Sequence, residues 1–303
     1  MFGVNSSPFQ AQYVSQKHAG LYKNDFPMAA ETVLKPTCMD DSMDSVWNDE
    51  QGIKLYNQLS QLWGKAGMHA RKWLSNSRVV LQSIPEEDRA SEVHLDEGNL
   101  SSVKILGVLW QADNDIFTFK ANPPDVNFKF TKLNFLSKIA TLFDPLGFIA
   151  PFTIRAKVLL QEMWTLCFNR LDWDHSINEL LVNKSREWFR ELEVLCCLKI
   201  PRCLQLDEDI ILTTIHRFVD ASQEADGSVV YARHVYKNGL VSVRFIAVKS
   251  RVAPLTSISI PRLELMAAAL GLQLALSVRQ ALEVSEEHFI HVNLSVGAFF
   301  SRF

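Results

Sequence analysis

Tyr236-Lys237-Asn238-Gly239-Leu240 is the stretch on which the fold of this chain turns. An Asn-Gly pair between apolar runs is a strong hairpin signal, because few other residues accept the positive φ angles of a tight turn. Reading outward, Gly227–Tyr236 and Leu240–Val248 become its two arms. Ile210–Val219 is an earlier apolar strand that ends in Asp220. Pro261–Leu282 is a long helix, opened near Ser257 and Ser259, with Pro261 suited to its first turn. Phe289–Leu294 begins a fourth strand. Strand, hairpin, strand, helix and strand together predict an α/β (α+β) layout with a mixed sheet.

The rest of the 303 residues divides into two further blocks, giving 1–112, 113–206 and 207–303. In the first, Gln51–Ala66 has helical spacing and Gly67 ends it. Ile84–Gly98 is acidic and polar, a surface loop, and Val103–Trp110 is a single strand. In the second, Asp113–Lys120 is a short strand and Pro123-Pro124 a breaker. Val158–Phe168 and Asn178–Leu195 carry helical spacing. The apolar stretches Ile139–Ile154 and Leu263–Leu276 are interrupted by polar residues or proline and are expected in the core, not in a membrane.

Composition narrows the classes. A 48% hydrophobic, 21% charged chain can bury sizeable cores. Its net charge of −3 leaves nucleic-acid binding to local basic patches. Five cysteines without a CxxC pair argue for a reducing compartment and against structural zinc. No basic-then-apolar leader opens the chain, so an intracellular protein is expected.

Thr37-Cys38-Met39-Asp40-Asp41-Ser42-Met43 places two acids side by side. Thr32–Leu34 and Met43–Val46 read as short strands joined at that pair. Adjacent carboxylates repel unless a cation lies between them, and Mg²⁺ for phosphoryl transfer is one reason to build such a turn. A solvated acidic turn is the plainer alternative. Similarly, Asp220 alone is compatible with a turn, and Glu264 with a favourable charge near a helix start. Trp164, Trp173 and Trp188 read as core packing, and His216 as a core or edge residue.

Several segments resemble BEL/Pao-type LTR retrotransposon Pol polyproteins. They are Phe2–Phe9, the Met39-Asp40-Asp41 turn, Leu133–Leu160 with its Asp144-Pro145-Leu146-Gly147 core, and Leu171–Asp174. Phe218-Val219-Asp220-Ala221-Ser222 and Ile260-Pro261-Arg262-Leu263-Glu264-Leu265 complete the set. The resemblance implies a partial reverse transcriptase palm and thumb, a helical connection, and a truncated ribonuclease H-like mixed-sheet domain. It also implies two-Mg²⁺ chemistry at Asp40 and Asp41 and again at Asp220 and Glu264, these four serving as catalytic and metal-binding residues. Gly3, Ser7 and Pro8 would shape the nucleotide pocket, Lys72 would face the leaving pyrophosphate, and Gly107 and Trp110 would lie at the primer end. Partners would be RNA–DNA hybrid, primer–template, dNTP and further segments of Pol, with no membrane. No Asp-Thr/Ser-Gly triplet supports proteolysis.

This chain departs from that pattern in three places. Cys38 replaces the usual aromatic before Met39. In relatives a further polymerase aspartate completes the metal site from a preceding strand, and no counterpart is in this sequence. His291–Val296 holds no acid where relatives carry Asp-Ser, as a frame change near His291 would explain. Inactivity of the chain alone is therefore expected. A non-catalytic remnant binding phosphates through Lys65, Arg71, Lys72, Lys129, Lys132 and Arg262 is the alternative.

Overall fold

The computed structural model describes residues 6–35, 43–91, 102–105, 108–120, 122–166, 172–206, 209–282 and 289–291. The chain forms two compact units, residues 1–103 with 111–114, and residues 104–110 with 115–303.

The first unit is helical in its described core. Helices α1 (Ser7–Leu21), α2 (Pro27–Leu34) and α3 (Asp49–Lys65) pack through Ala19, Ala29, Ala30, Val33, Leu59 and Leu62. Asn48 caps α3 by accepting from the Gln51 N–H at 2.9 Å, and Gly67 leaves the helix at φ 68°. A short helix, α4 (Arg78–Gln82), follows. The expected strand at Thr32–Leu34 is instead the end of α2. Pro27 presets the first turn, and the fully buried Ala29 and Ala30 allow close approach of neighbouring helices, so packing overrides the strand preference of Thr and Val. Met43–Val46 likewise forms no strand. The expected surface loop is partly internal, because Ile84, Asp88 and Ala90 are buried and the Trp73 backbone bonds to Asp88 and Ala90.

The expected single strand at Val103–Trp110 is two, β1 (Ser102–Ile105) and β2 (Val108–Gln111), hydrogen-bonded neighbours in one sheet. That sheet continues with β3 (Ile116–Thr118) and β4 (Ile200–Pro201).

In the second unit, α5 (Lys132–Ala140), α6 (Ala150–Leu166) and α7 (Glu179–Glu191) surround Phe135, Met163, Leu181, Trp188 and Phe189. Thr131 and Asn178 cap α5 and α7 through their side-chain oxygens. Strands β5 (Ile210–Ala221), β6 (Ala225–Tyr236), β7 (Val241–Val252) and β8 (Phe289–His291) form a sheet of order β7-β6-β5-β8. The first three are antiparallel neighbours, and β8 lies parallel to β5 with His291 opposite Arg217. Gly239 turns the β6–β7 hairpin at φ 81°.

Helix α8 (Ile260–Leu282) crosses one face of this sheet, burying Leu263, Ala267, Leu270, Leu274 and Val278. By length and composition alone α8 could cross a membrane, yet these buried positions line the sheet. The opposite face meets the connection through Phe218, Tyr231, Phe245 and Phe148 in successive aromatic contacts. The Asp144–Gly147 bend docks on β7. The Val248 N–H donates to the Leu146 carbonyl at 2.8 Å, while Asp144 accepts the N–H groups of Phe148 and Ile149, each at 2.8 Å. Gly147, at φ 76°, lies so close to Val248 that a β-carbon there would stand 2.1 Å from its carbonyl oxygen.

Candidate metal and nucleic-acid site

Asp220 sits at the end of β5, in register with Gly227 of β6. Its Oδ1 accepts the Ala221 N–H at 2.9 Å. Strand alternation assigns it to the Phe218 face, away from α8, but its place at the strand end brings it within electrostatic reach of Glu264. Partial burial pushes the Asp220 carboxyl above the ordinary carboxylate range, the Glu264 charge pushes it further, and the Ala221 N–H opposes both. Glu264 itself is exposed on the first turns of α8.

Two features hold that part of α8 in place. Gly271 permits close packing, since a β-carbon there would meet Ser228 Oγ at 2.5 Å and Val219 at 3.0 Å. Arg251 on β7 donates from Nη2 to the Met266 carbonyl at 3.1 Å and to Asp226 Oδ2 at 3.3 Å. Asp226, 1% exposed, is thereby neutralised beneath the helix. Asp220 and Glu264 are hard oxygen donors, the kind Mg²⁺ prefers, and a divalent cation would relieve their repulsion. Their number falls short of a full ligand set: among the described residues no group of three or more acidic, His or Cys side chains is placed to hold a metal ion.

The other expected site residues are scattered. Asp40, Asp41, Gly3 and Gly107 lie outside the described residues. Ser7 and Pro8 form the first turn of α1. Lys72 is exposed and adopts φ 62°, a left-handed conformation uncommon for a side chain of its kind. Trp110 is buried, its indole N–H donating to Asp115 Oδ1 at 3.0 Å and Arg202 lying over its ring. Of the basic set, Lys65, Arg71, Lys129 and Arg262 are exposed. Lys132 is not: it is 4% exposed, with its ammonium 5.0 Å from the Trp164 ring centre. Only Trp188 of the three expected core tryptophans is buried. Trp164 and Trp173 form a T-shaped pair, each nearly half exposed. His216 is partly buried, its Nε2 2.9 Å from Thr214 Oγ1.

Sequence reading overlooked Arg217 and the Arg251–Asp226 pair. The available signal was an arginine within a largely apolar strand, Ile210–Val219.

A family model described as the Pao retrotransposon-like RNaseH-like domain matches residues 131–293, more than half of the chain. A search of curated proteins gave no match. Among solved structures, a foamy viral protease-reverse transcriptase in complex with dsDNA aligns with 98% of this chain at 11% identity and a TM-score of 0.42. The chain spans 60% of the length of that protein.

Proposed function

This chain belongs to the Pao retrotransposon-like RNaseH-like family, and from that premise we propose that it is a portion of an intracellular retrotransposon Pol protein. The ancestral activity in this reading is RNA-directed DNA synthesis coupled to hydrolysis of RNA in RNA–DNA hybrids. We assign Asp220 and Glu264 to the hydrolytic centre. These two carboxylates would hold Mg²⁺, which would supply charge stabilisation for phosphodiester hydrolysis. Asp220 is kept at the strand end by its Ala221 contact, and Glu264 is carried by a helix anchored through Arg251 and Gly271. The observation that carries the assignment is the placement of Asp220 near the end of β5 and of Glu264 on the first turns of α8, within electrostatic reach of each other and inside the matched domain.

With two carboxylates the centre is under-liganded, so the chain alone binds hybrid without appreciable turnover. Asp40 and Asp41, with Gly3, Ser7, Pro8, Lys72, Gly107 and Trp110, belong in this reading to a polymerase site for primer–template and dNTP. The remnant reading, binding without catalysis, draws on the exposed Lys65, Arg71, Lys72, Lys129 and Arg262.

Cleavage of a labelled RNA–DNA hybrid, with Mg²⁺ and with EDTA, tests the assignment. Any Mg²⁺-dependent cleavage should vanish in Asp220→Asn and in Glu264→Gln. Cleavage that survives either substitution refutes the site. Salt-sensitive hybrid binding with no cleavage in the unsubstituted chain supports the remnant.

A further inference from the structure

Helices α6 and α7 do not close completely on one another. Between their facing sides and the Ser222–Glu224 turn that joins β5 to β6 lies a cavity of about 250 Å³. Two ion pairs bridge the helices. Arg155 Nη2 donates to Glu191 Oε1 at 2.8 Å, and Lys184 Nζ donates to Glu162 Oε2 at 2.6 Å. The paired residues are two helical turns apart along each helix, so the bridges stand about 10 Å from each other. The wall of the cavity includes the apolar residues Ile154, Val158, Leu159, Trp188 and Ala225.

The charges at this cavity do not balance. Arg155 and Lys184 are answered by Glu191 and Glu162. Two further carboxylates line the space, Glu187 of α7 and Glu224 of the turn. Both are exposed, and neither forms an ion pair among the described residues. Glu187 acts on Arg155 through charge alone, behind the direct Glu191 contact. Four acids thus face two cations beside an apolar wall.

Volume and charge select the occupant. Cavities that enclose a drug-sized ligand measure about 300–1,000 Å³, so this one suits a single large side chain. A phosphate-bearing ligand meets net repulsion here. The occupant needs a cationic head for Glu187 and Glu224, and an apolar stem to cover Ile154, Val158 and Trp188. Arginine supplies both. Its planar head also lies well on aromatic rings and offers donors to two carboxylates at once. A pocket this small holds a free cation weakly, and its use is as an anchor point within a larger protein contact, where aromatic and arginine residues dominate the binding energy.

We propose that this cavity is a docking pocket for an arginine side chain of a protein partner, with Glu187 and Glu224 receiving the guanidinium and the Trp188 wall receiving the stem. The pocket uses neither Asp220 nor Glu264 and needs no metal, so it stands apart from the hydrolytic reading.

Saturation-transfer difference NMR on the full chain tests the pocket. The probes are a blocked Gly-Gly-Arg-Gly-Gly peptide, the same peptide with neutral citrulline for arginine, and agmatine. Saturation should pass from protein methyl groups to the arginine methylenes and should be saturable, with the citrulline peptide weaker by about fivefold or more. Glu187→Gln combined with Glu224→Gln should weaken the arginine peptide by about fivefold while the melting temperature stays that of the parent. Val158→Phe, which fills the cavity and leaves both acids in place, should abolish the transfer. Equal binding of the two peptides overturns the proposal, as does parent-like affinity in the double variant. Binding that survives Val158→Phe also overturns it, because attraction to an acidic surface would then suffice. Agmatine binding without peptide binding assigns the cavity to a free small cation and rejects the protein partner. No transfer to any probe rejects the site altogether.

Discussion

Gly147→Ala tests whether the Asp144–Gly147 bend fixes the connection to the sheet. A β-carbon at Gly147 would stand 2.1 Å from the Val248 carbonyl oxygen and 2.9 Å from the carbonyl carbon. Both atoms are backbone, so no side-chain rotation relieves the overlap. The loop must withdraw by about an ångström, which separates Leu146 from Val248 and loosens Phe148 from Phe245. The lost hydrogen bond contributes about 1 kcal/mol, and the aromatic contact about 0.5–1 kcal/mol. A non-glycine residue at φ 76° adds about 1–2 kcal/mol. The sum is about 2.5–4 kcal/mol, or a fall of roughly 10 °C in melting temperature for a unit of this size.

Gly239→Ala is the control for that experiment. It shares the positive φ, at 81°, but its β-carbon meets nothing within 4 Å. It should cost about 1–2 kcal/mol. Replacing glycine also stiffens the unfolded chain, and this effect is common to both variants. Urea unfolding followed by tryptophan fluorescence compares them. Equal losses in the two variants would refute the view that close approach to Val248, and not backbone conformation alone, requires glycine at 147.

Three other substitutions report on neighbouring features. Gly271→Ala should destabilise through its overlap with Ser228 Oγ, and Ser228→Ala in the same chain should recover part of the loss, as a double-mutant cycle in urea would register. Asp144→Ala removes acceptors for the Phe148 and Ile149 N–H groups and should cost about 2 kcal/mol, measured by thermal unfolding at neutral pH. Asp220→Asn should stabilise the metal-free protein. Because the folded Asp220 pKa is raised, its favourable contribution is full below the ordinary value near 3.8 and is lost as pH climbs through the folded value. The advantage of the asparagine variant should therefore be absent at the acid end and reach a plateau toward neutral pH. Melting curves in EDTA from pH 3 to 7 check the sign, and a variant less stable at every pH would contradict it.

The parts of the fold readable from sequence are those set by local chemistry. Asn238-Gly239 dictated the β6–β7 turn, and Gly67 the end of α3, since each depends on one backbone conformation. Thr32-Val33-Leu34 misled because strand preference in three residues is weaker than the packing of Ala29 and Ala30 among helices. The run from Val103 to Trp110 is apolar apart from Lys104 and Gly107, so its division into β1 and β2 left little trace in hydrophobic pattern. At the candidate site, Asp220 stood out because an acid closes an apolar strand. Arg217, under α8, did not, because its burial depends on how that helix crosses the sheet. Lys132 resembled a surface cation for the same reason: only the fold reveals Trp164 beneath its ammonium.

The order of strands in the mixed sheet has a consequence for how the domain is assembled. β5, β6 and β7 pair with their neighbours in sequence, so this meander can form as soon as it leaves the ribosome. β8 joins β5 only after the whole of α8 has been made and laid across the sheet. Until then one margin of β5 remains open, along with the apolar surface that α8 will cover. That interval is when a nascent chain is most exposed to mispairing with another copy of itself, and closure by β8 is expected to be the late, slow event of folding.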